Sequence, residues 1–403
     1  MTLPVQEERP TNKMASEERL STQIYQSPGD VDSLRGEWEA LLAEFPQATP
    51  FCTLEWLLSW WRAFGGNDRL QILAFRDDSA CLRGLAPLAS SLIPVFGGEL
   101  RRLRLVGDGS HDSDNLDLPA TPGYEKASCQ ALLNWMERQS GEWDICELRT
   151  LPEMSPVGNQ LLEELRTRRW KVLTSLRPQS LVELPETWED YLARLSSKER
   201  GKVGLRARRL EKKYRTEIYR CAVESELDTA LQALYELHAK HWRSRGLPGT
   251  LQVPARRQFY RELAGSLLAR QRLEFWLLRA DGKVVATQFG LRHGNQVFSL
   301  QEGYDPDYSA DSVGYVLRSQ ALKKLIAEGI RKYDFLGGVD DSKLRWGAQI
   351  RHYLNMEFAR PGTRGSLYLS LKRKGEETKA WLRKRLPGPL RLKLKQAGER
   401  ILD

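Results

Sequence analysis

The residues whose types and spacing bear most on chemistry fall between Glu302 and Trp346. Glu302 ends a stretch of strand pattern. The polar turn Tyr304-Asp305-Pro306-Asp307-Tyr308 follows, and then Ser312-Val313-Gly314 opens an amphipathic pattern. Ser312 is a good N-cap residue, which would gather unpaired amides and the positive end of a helix dipole around Val313 and Gly314. A glycine at position 314 lets an anionic ligand approach the backbone closely. Lys343 lies further on, in a glycine-rich loop. A strand, an anion loop, a helix and a second strand in this order can hold a phosphate-bearing cofactor at the end of a sheet. The same spacing also describes a plain strand–helix–strand packing unit.

The elements that must position these groups are legible on both sides. Val313, Val316, Leu317, Ala321 and Leu325 recur at helical spacing, a stripe suited to packing on a sheet. Gly329 stands where a left-handed C-terminal cap belongs, and Arg331–Leu336 reads as the next strand. Upstream, Leu273–Leu278, Lys283–Leu291 and Gln296–Glu302 read as an antiparallel meander, turned at Asp281-Gly282 and at His293-Gly294-Asn295. Helices are expected over Glu224–Arg245 and Arg256–Arg270. Thr53 is expected to cap a helix carrying Trp56, Trp60 and Trp61, which form either core or a substrate wall. Strands alternate with helices from Leu70 to Leu184, with Pro87 marking an edge or bulged strand. The loop Asp108–Asp114 lacks calcium-loop spacing and reads as a solvated turn or a substrate-side loop.

The 403 residues suffice for two domains, and the balance of 62 Lys and Arg against 53 Asp and Glu leaves +9. That charge suits anionic partners: a nucleotide cofactor, a nucleic acid or an acidic membrane face. Five scattered cysteines without metal-binding spacing point to reduced thiols in a cytoplasm, with no metal. The first residues lack the apolar core of a signal peptide, and no run is long enough to span a bilayer. Lys198, Lys202, Arg206, Arg209 and Lys213 share one helical face, which is a solvated face, a docking surface for RNA or phosphate, or an approach to an anionic surface. The tail from Ser366 is basic with spaced Leu and Trp, broken at Pro387-Gly388-Pro389. It reads as an amphipathic helix resting on an acidic bilayer or a partner, or as a solvated extension.

One order of motifs then stands out. His241-Trp242-Arg243-Ser244-Arg245-Gly246 is followed by Asp281-Gly282-Lys283, Gly303-Tyr304-Asp305-Pro306, Ser312-Val313-Gly314, Tyr333-Asp334-Phe335-Leu336-Gly337 and Lys343-Leu344-Arg345-Trp346-Gly347. The series resembles the GNAT-fold acyltransferases of the cellulose-biosynthesis CelD/BcsL type, themselves similar to Fem-type peptidoglycan aminoacyl transferases. The resemblance is strongest over Trp188–Phe358 and weaker over Thr49–Leu184. It implies an α/β (α+β) fold of two tandem GNAT-like domains, each a mixed, mostly antiparallel sheet flanked by helices. The expected boundaries are a disordered N-terminus at 1–21, an N-terminal domain at 22–184, a donor-binding domain at 185–360 and a basic tail at 361–403.

The resemblance further implies an acyl donor, acetyl-coenzyme A or another acyl-coenzyme A, whose pyrophosphate rests on Ser312, Val313, Gly314 and Tyr315, with Gly303 nearby. Asp311 departs from the family's loop, since its charge would repel pyrophosphate. An amine acceptor then needs a base, for which Glu302, Asp305 and His293 are candidates. Tyr304 or Tyr308 would protonate the leaving thiolate, and Lys343, assisted by Arg345, would stabilise developing negative charge. Trp242, Arg243, Arg245, Trp346 and Asp341 are the expected acceptor contacts. The function implied is N-acylation of a saccharide or cell-envelope precursor in the cytoplasm or at the inner membrane face. The alternatives are transfer from aminoacyl-tRNA, docked on the basic helix, or a non-catalytic module of polysaccharide export.

Overall fold

The structure, a computed structural model, describes residues 19–95, 97–109, 112–247 and 249–385. Most of the N-terminal segment expected to be disordered, and the Pro387-Gly388-Pro389 break, lie outside the described residues. The strands are β1 (Ser21–Tyr25), β2 (Arg69–Arg76), β3 (Leu82–Val95), β4 (Gly98–Leu105), β5 (Ile145–Pro152), β6 (Lys171–Glu183), β7 (Thr216–Arg220), β8 (Leu273–Ala280), β9 (Lys283–His293), β10 (Gln296–Tyr304), β11 (Lys332–Gly337) and β12 (Gln349–Ala359).

All twelve join one sheet in the order β1-β2-β3-β4-β5-β12-β6-β11-β10-β9-β8-β7. The order repeats from either end. Four antiparallel neighbours lead to one parallel pair, β4 with β5 or β10 with β11, and then to an antiparallel strand. The tandem GNAT-like architecture is therefore present, with one feature no local pattern announces. The strand completing the first half is β12, from the far end of the chain, and the strand completing the second half is β6, from the first.

Local chemistry explains the elements that hold the site. Asp281 and Gly282 both take positive φ, +50 and +83, as a type I′ hairpin turn requires. Helix Val313–Ala327 buries Val313, Val316, Leu317, Ala321 and Leu325 against the sheet, and Gly329, at φ +83, ends it as a left-handed cap. Thr53 caps helix Leu54–Phe64 by accepting from the Trp56 amide. Trp56 and Trp60 are buried, so these rings are core rather than a substrate wall.

Two local expectations are corrected. Ser312 occupies the N-cap position but its side chain caps nothing. The chain arrives through the 3₁₀ turn Pro306–Asp311 and reverses at Ser312 in the left-handed region, φ +57, with the Ser312 amide bonded to the Ser309 carbonyl. Pro87 does not mark an edge or a bulge. β3 pairs with β2 through Pro87 and with β4 from Leu88 onward, so proline sits one residue beyond the second ladder and its missing N–H is not needed there.

Candidate active site

The parallel pair β10–β11 is short. It runs from Gln296–Lys332 to Phe298–Asp334, and the two strands then part. On one side the register with β9 slips between Ser299 and Gln301, leaving Leu300 as a bulge. On the other side β11 slips against β6 between Asp334 and Gly337, with Leu336 at φ +62. A buried leucine in the left-handed region is a strained residue held by its surroundings. The parted strands enclose a cavity of about 220 Å³, lined by Ser299–Glu302, Arg318, Phe335–Gly337, Lys343 and, from the first half, Asp112, Asp114 and Arg177.

The acidic loop of the first half is thus a wall of the cavity and not a solvated turn. Asp114 accepts from the Gly337 amide at 2.8 Å and pairs with Arg177 at 3.3 Å. Asp112 accepts from Tyr260 Oη and Gln301 Nε2 and pairs with Arg256 at 3.1 Å. Trp56 Nε1 donates to Ser113 Oγ and fixes the loop from below. An added Cβ at position 337 would lie 2.6 Å from the Arg177 guanidinium, so a side chain there would push that arginine away from Asp114.

Asp334 anchors the parting. One carboxylate oxygen accepts from the Leu336 amide at 2.7 Å, which holds the strained turn, and the other accepts from Gln179 at 2.6 Å and Asn115 at 3.3 Å. Complete burial pushes its carboxyl up to about 7, although these hydrogen bonds favour the charged form. The Lys343 ammonium spends its three donors on the carbonyls of Phe335, Gly337 and Gly338, at 3.1, 2.7 and 3.2 Å. Burial lowers its pKa from the ordinary value, opposed by Asp340 and Asp114. Glu302 is exposed at the cavity mouth and ion-paired to Arg318. Arg318 in turn lies 4.9 Å from the Phe335 ring and 6.0 Å from Trp346.

The start of helix Val313–Ala327 adjoins this cavity, since Arg318 lies on its second turn. Its first amides have no partners within the helix. The atoms nearest an added Cβ at Gly314 belong to Tyr304, from 3.6 Å, an ordinary van der Waals contact. Val313 is wholly buried. The Tyr315 ring lies between Trp346, at 4.5 Å, and the Arg206 guanidinium, at 4.3 Å. Asp311 pairs with Lys213 at 2.9 Å and accepts from Tyr214 Oη at 3.0 Å, and the Lys213 bond holds its carboxyl below the usual range. The charge expected to repel a pyrophosphate is therefore already compensated. A helix start whose first amides lack partners within the helix, beside a compensated Asp311, is compatible with the diphosphate of an acyl-coenzyme A.

Other expected site residues do not line this cavity. Asp305 is buried and accepts from Lys283 at 2.8 Å and Lys240 at 3.2 Å. Against the cost of burial, these bonds hold its carboxyl below the usual range, so it is a turn anchor with its oxygens engaged. Gly303 is a packing glycine. A Cβ there would lie 2.7 Å from the His238 amide nitrogen on helix Glu224–Arg243. Trp346 is 1% exposed and cannot meet an acceptor; its carbonyl takes the Tyr191 hydroxyl. Trp242 and Arg245 pack on each other at the end of helix Glu224–Arg243, where Arg243 donates to the Ala239 carbonyl. Asp341 opens a short helix, and Arg345 donates to its carbonyl. Tyr304 packs on His241 at 4.4 Å, Tyr308 packs on Tyr214, and His293 lies at the β9–β10 turn.

Among the described residues no group of three or more His, Cys, Asp or Glu is placed to hold a metal, and no helix is long and apolar enough to cross a membrane. Residues 197–344 match the acetyltransferase (GNAT) domain family. No curated protein matches the chain in sequence. The crystal structure of FemX is similar, with TM-score 0.57 at 11% identity over 83% of this chain and 96% of that one. So is a conserved protein of unknown function from Bacteroides thetaiotaomicron, with TM-score 0.55 at 14% identity over 84% and 100%. The C-terminal domain of an Agrobacterium fabrum protein named as a lysylphosphatidylglycerol synthetase gives 0.50 at 10% over 85% and 96%. At these identities the likeness concerns the fold. The chain carries a GNAT-fold acetyltransferase domain and is an acyltransferase.

Proposed function

We propose that this acyltransferase is of the CelD/BcsL type and moves an acyl group, acetyl in the first instance, from coenzyme A to an amino group of a saccharide or cell-envelope precursor. The observation that carries this reading is the parting of β10 and β11 beside helix Val313–Ala327, which contributes Arg318 to the cavity between them. The domains divide at 22–184 and 185–360, with their last strands exchanged. The donor supplies a thioester carbonyl. The amides of Gly314 and Tyr315 would hold its diphosphate, while Val313, wholly buried, anchors the helix start. Glu302, at the cavity mouth, takes the proton of the attacking amine, and Tyr304 returns one to the departing sulfur. Lys343 acts through its charge, because its donors are committed to the loop it shapes.

A second reading has its own support. The basic helix Ser197–Lys213 packs against the donor helix through Arg206 and Tyr315. That placement suits the acceptor arm of an aminoacyl-tRNA as donor, and FemX, whose fold is shared, carries a Fem name. Calorimetry separates the two. Saturable heat with acetyl-coenzyme A that persists at high salt supports the first reading. No heat with acetyl-coenzyme A, together with tRNA binding that weakens steeply with salt, replaces it with the second.

A further inference from the structure

We propose that residues 112–115 are a strut: rooted in the first half, they hold β10 and β11 of the second half apart at a set spacing, and Asp112 and Asp114 are positioning residues of the transfer reaction. The inference rests on the reading that transfer takes place in this gap, and not on which donor is used. Strands that part leave backbone groups without a ladder, and closing up again would satisfy them. Asp334, within the second half, holds only the β11 side, through the Leu336 amide. The strut reaches both sides. Asp112 accepts from Gln301 Nε2 on β10 at 3.1 Å, next to the Leu300 bulge. Asp114 accepts from the Gly337 amide on β11 at 2.8 Å, next to the strained Leu336, and Asn115 Nδ2 donates to Asp334 at 3.3 Å. Two carboxylates two residues apart thus take opposite sides of the gap.

The footing of the strut is in the first half. Trp56 Nε1 donates to Ser113 Oγ at 3.1 Å, and Thr49 Oγ1 donates to the Asn115 carbonyl at 3.0 Å. Helix Pro254–Ala269 braces Asp112 with Tyr260 Oη at 2.9 Å and Arg256 at 3.1 Å. The Asp112 side chain has no exposed surface, and that of Asp114 is 10% exposed. Carboxylates buried this close together lose solvation and repel each other, a cost offset by the bonds each one makes. The spacing matters to the chemistry, because an amine attacks a thioester only when the reacting atoms lie about 3–3.5 Å apart in the right direction.

The test is hydrogen exchange of the full-length protein, read by mass spectrometry and joined to steady-state kinetics. Asp112→Ala removes a contact to β10 alone, and Asp114→Ala removes one to β11 alone. A strut predicts that each variant speeds exchange by roughly tenfold in both 299–304 and 335–338, including the side it does not touch. Gln301→Leu leaves Asp112 with Tyr260 and Arg256, should act as Asp112→Ala does, and carries the test if that variant fails to fold. Thiol release from acetyl-coenzyme A, with glucosamine as the acceptor probe, should show kcat lowered about tenfold or more at unchanged KM for the donor. Asp112→Asn, which keeps an accepting oxygen, should recover most of that loss. The proposal is overturned if each variant alters exchange only on the side it touches, or if both sides loosen while kcat stays as in wild type. The exchange readout needs no donor. A wild type that releases no thiol therefore counts against the proposed donor, and the exchange result still decides the strut.

Discussion

Glu302 and Lys343 line one cavity but do different work, and their substitutions should separate. Glu302→Gln keeps the shape and removes the proposed base. Turnover should fall by about a hundredfold or more with donor affinity nearly unchanged. Lys343→Met removes a charge and releases three carbonyls of the 335–338 loop. Turnover should fall here too, with a loss of order in the loop that Lys343→Arg does not restore. Equal turnover in wild type and both variants would remove these assignments. Asp334 gives a stability signature. Its folded carboxyl is raised to about 7, so between the ordinary aspartate range and 7 the folded state holds more proton than the unfolded one. Stability should therefore fall as pH rises from about 4 to 7, by an amount on the order of a few kcal/mol. Asp334→Asn should flatten that slope, read as the urea midpoint across pH.

Among the elements, the contact between helix Glu224–Arg243 and β10 is the least forgiving. The atoms nearest an added Cβ at Gly303 are the His238 amide nitrogen and the Leu237 carbonyl carbon and Cβ, which move only with the whole helix. Gly303→Ala should cost about 1–3 kcal/mol in urea unfolding. An unchanged midpoint would show that the helix rides loosely. Here the boundary of what sequence reveals is visible. The Asp281-Gly282 turn, the Gly329 cap and the stripe of the donor helix are local rules, and each was legible. The edge strands β1 and β7 and the central β12 were not, because what makes them strands is a partner far away in the chain. The Asp108–Asp114 loop could be read as a solvated turn or a substrate-side loop, and the choice was open for the same reason: the partners of Asp112 and Asp114, Tyr260, Arg256 and Gly337, come from distant segments. Asp334 did leave a trace, as a lone charge within the apolar Tyr333–Leu336, a pattern that buried polar anchors produce. Gly303 and Trp346 show the converse, since motif membership marked them as site residues while packing is what they do.

At the scale of the molecule, the helix Arg364–Arg385 stands against the rest through Arg364, paired with Asp144 at 2.8 Å, and through the buried Leu369. Its other face exposes Leu367, Leu371 and Trp381 among Arg373, Lys374 and Lys379. An apolar stripe bordered by cations suits an acidic bilayer surface. Removing residues 364–403 should abolish flotation with vesicles rich in anionic lipid and leave donor binding intact. Flotation that persists in the shortened protein would place the contact elsewhere.

The exchange of β6 and β12 bears on how the molecule comes into being. During synthesis β6 leaves the ribosome before either of its neighbours exists, and β5 waits on one side for a strand made much later. Bare backbone at a sheet edge invites pairing with other chains, and contacts so remote in sequence close slowly. The nascent protein must therefore keep its middle shielded until Gln349–Ala359 arrives to zip both halves together.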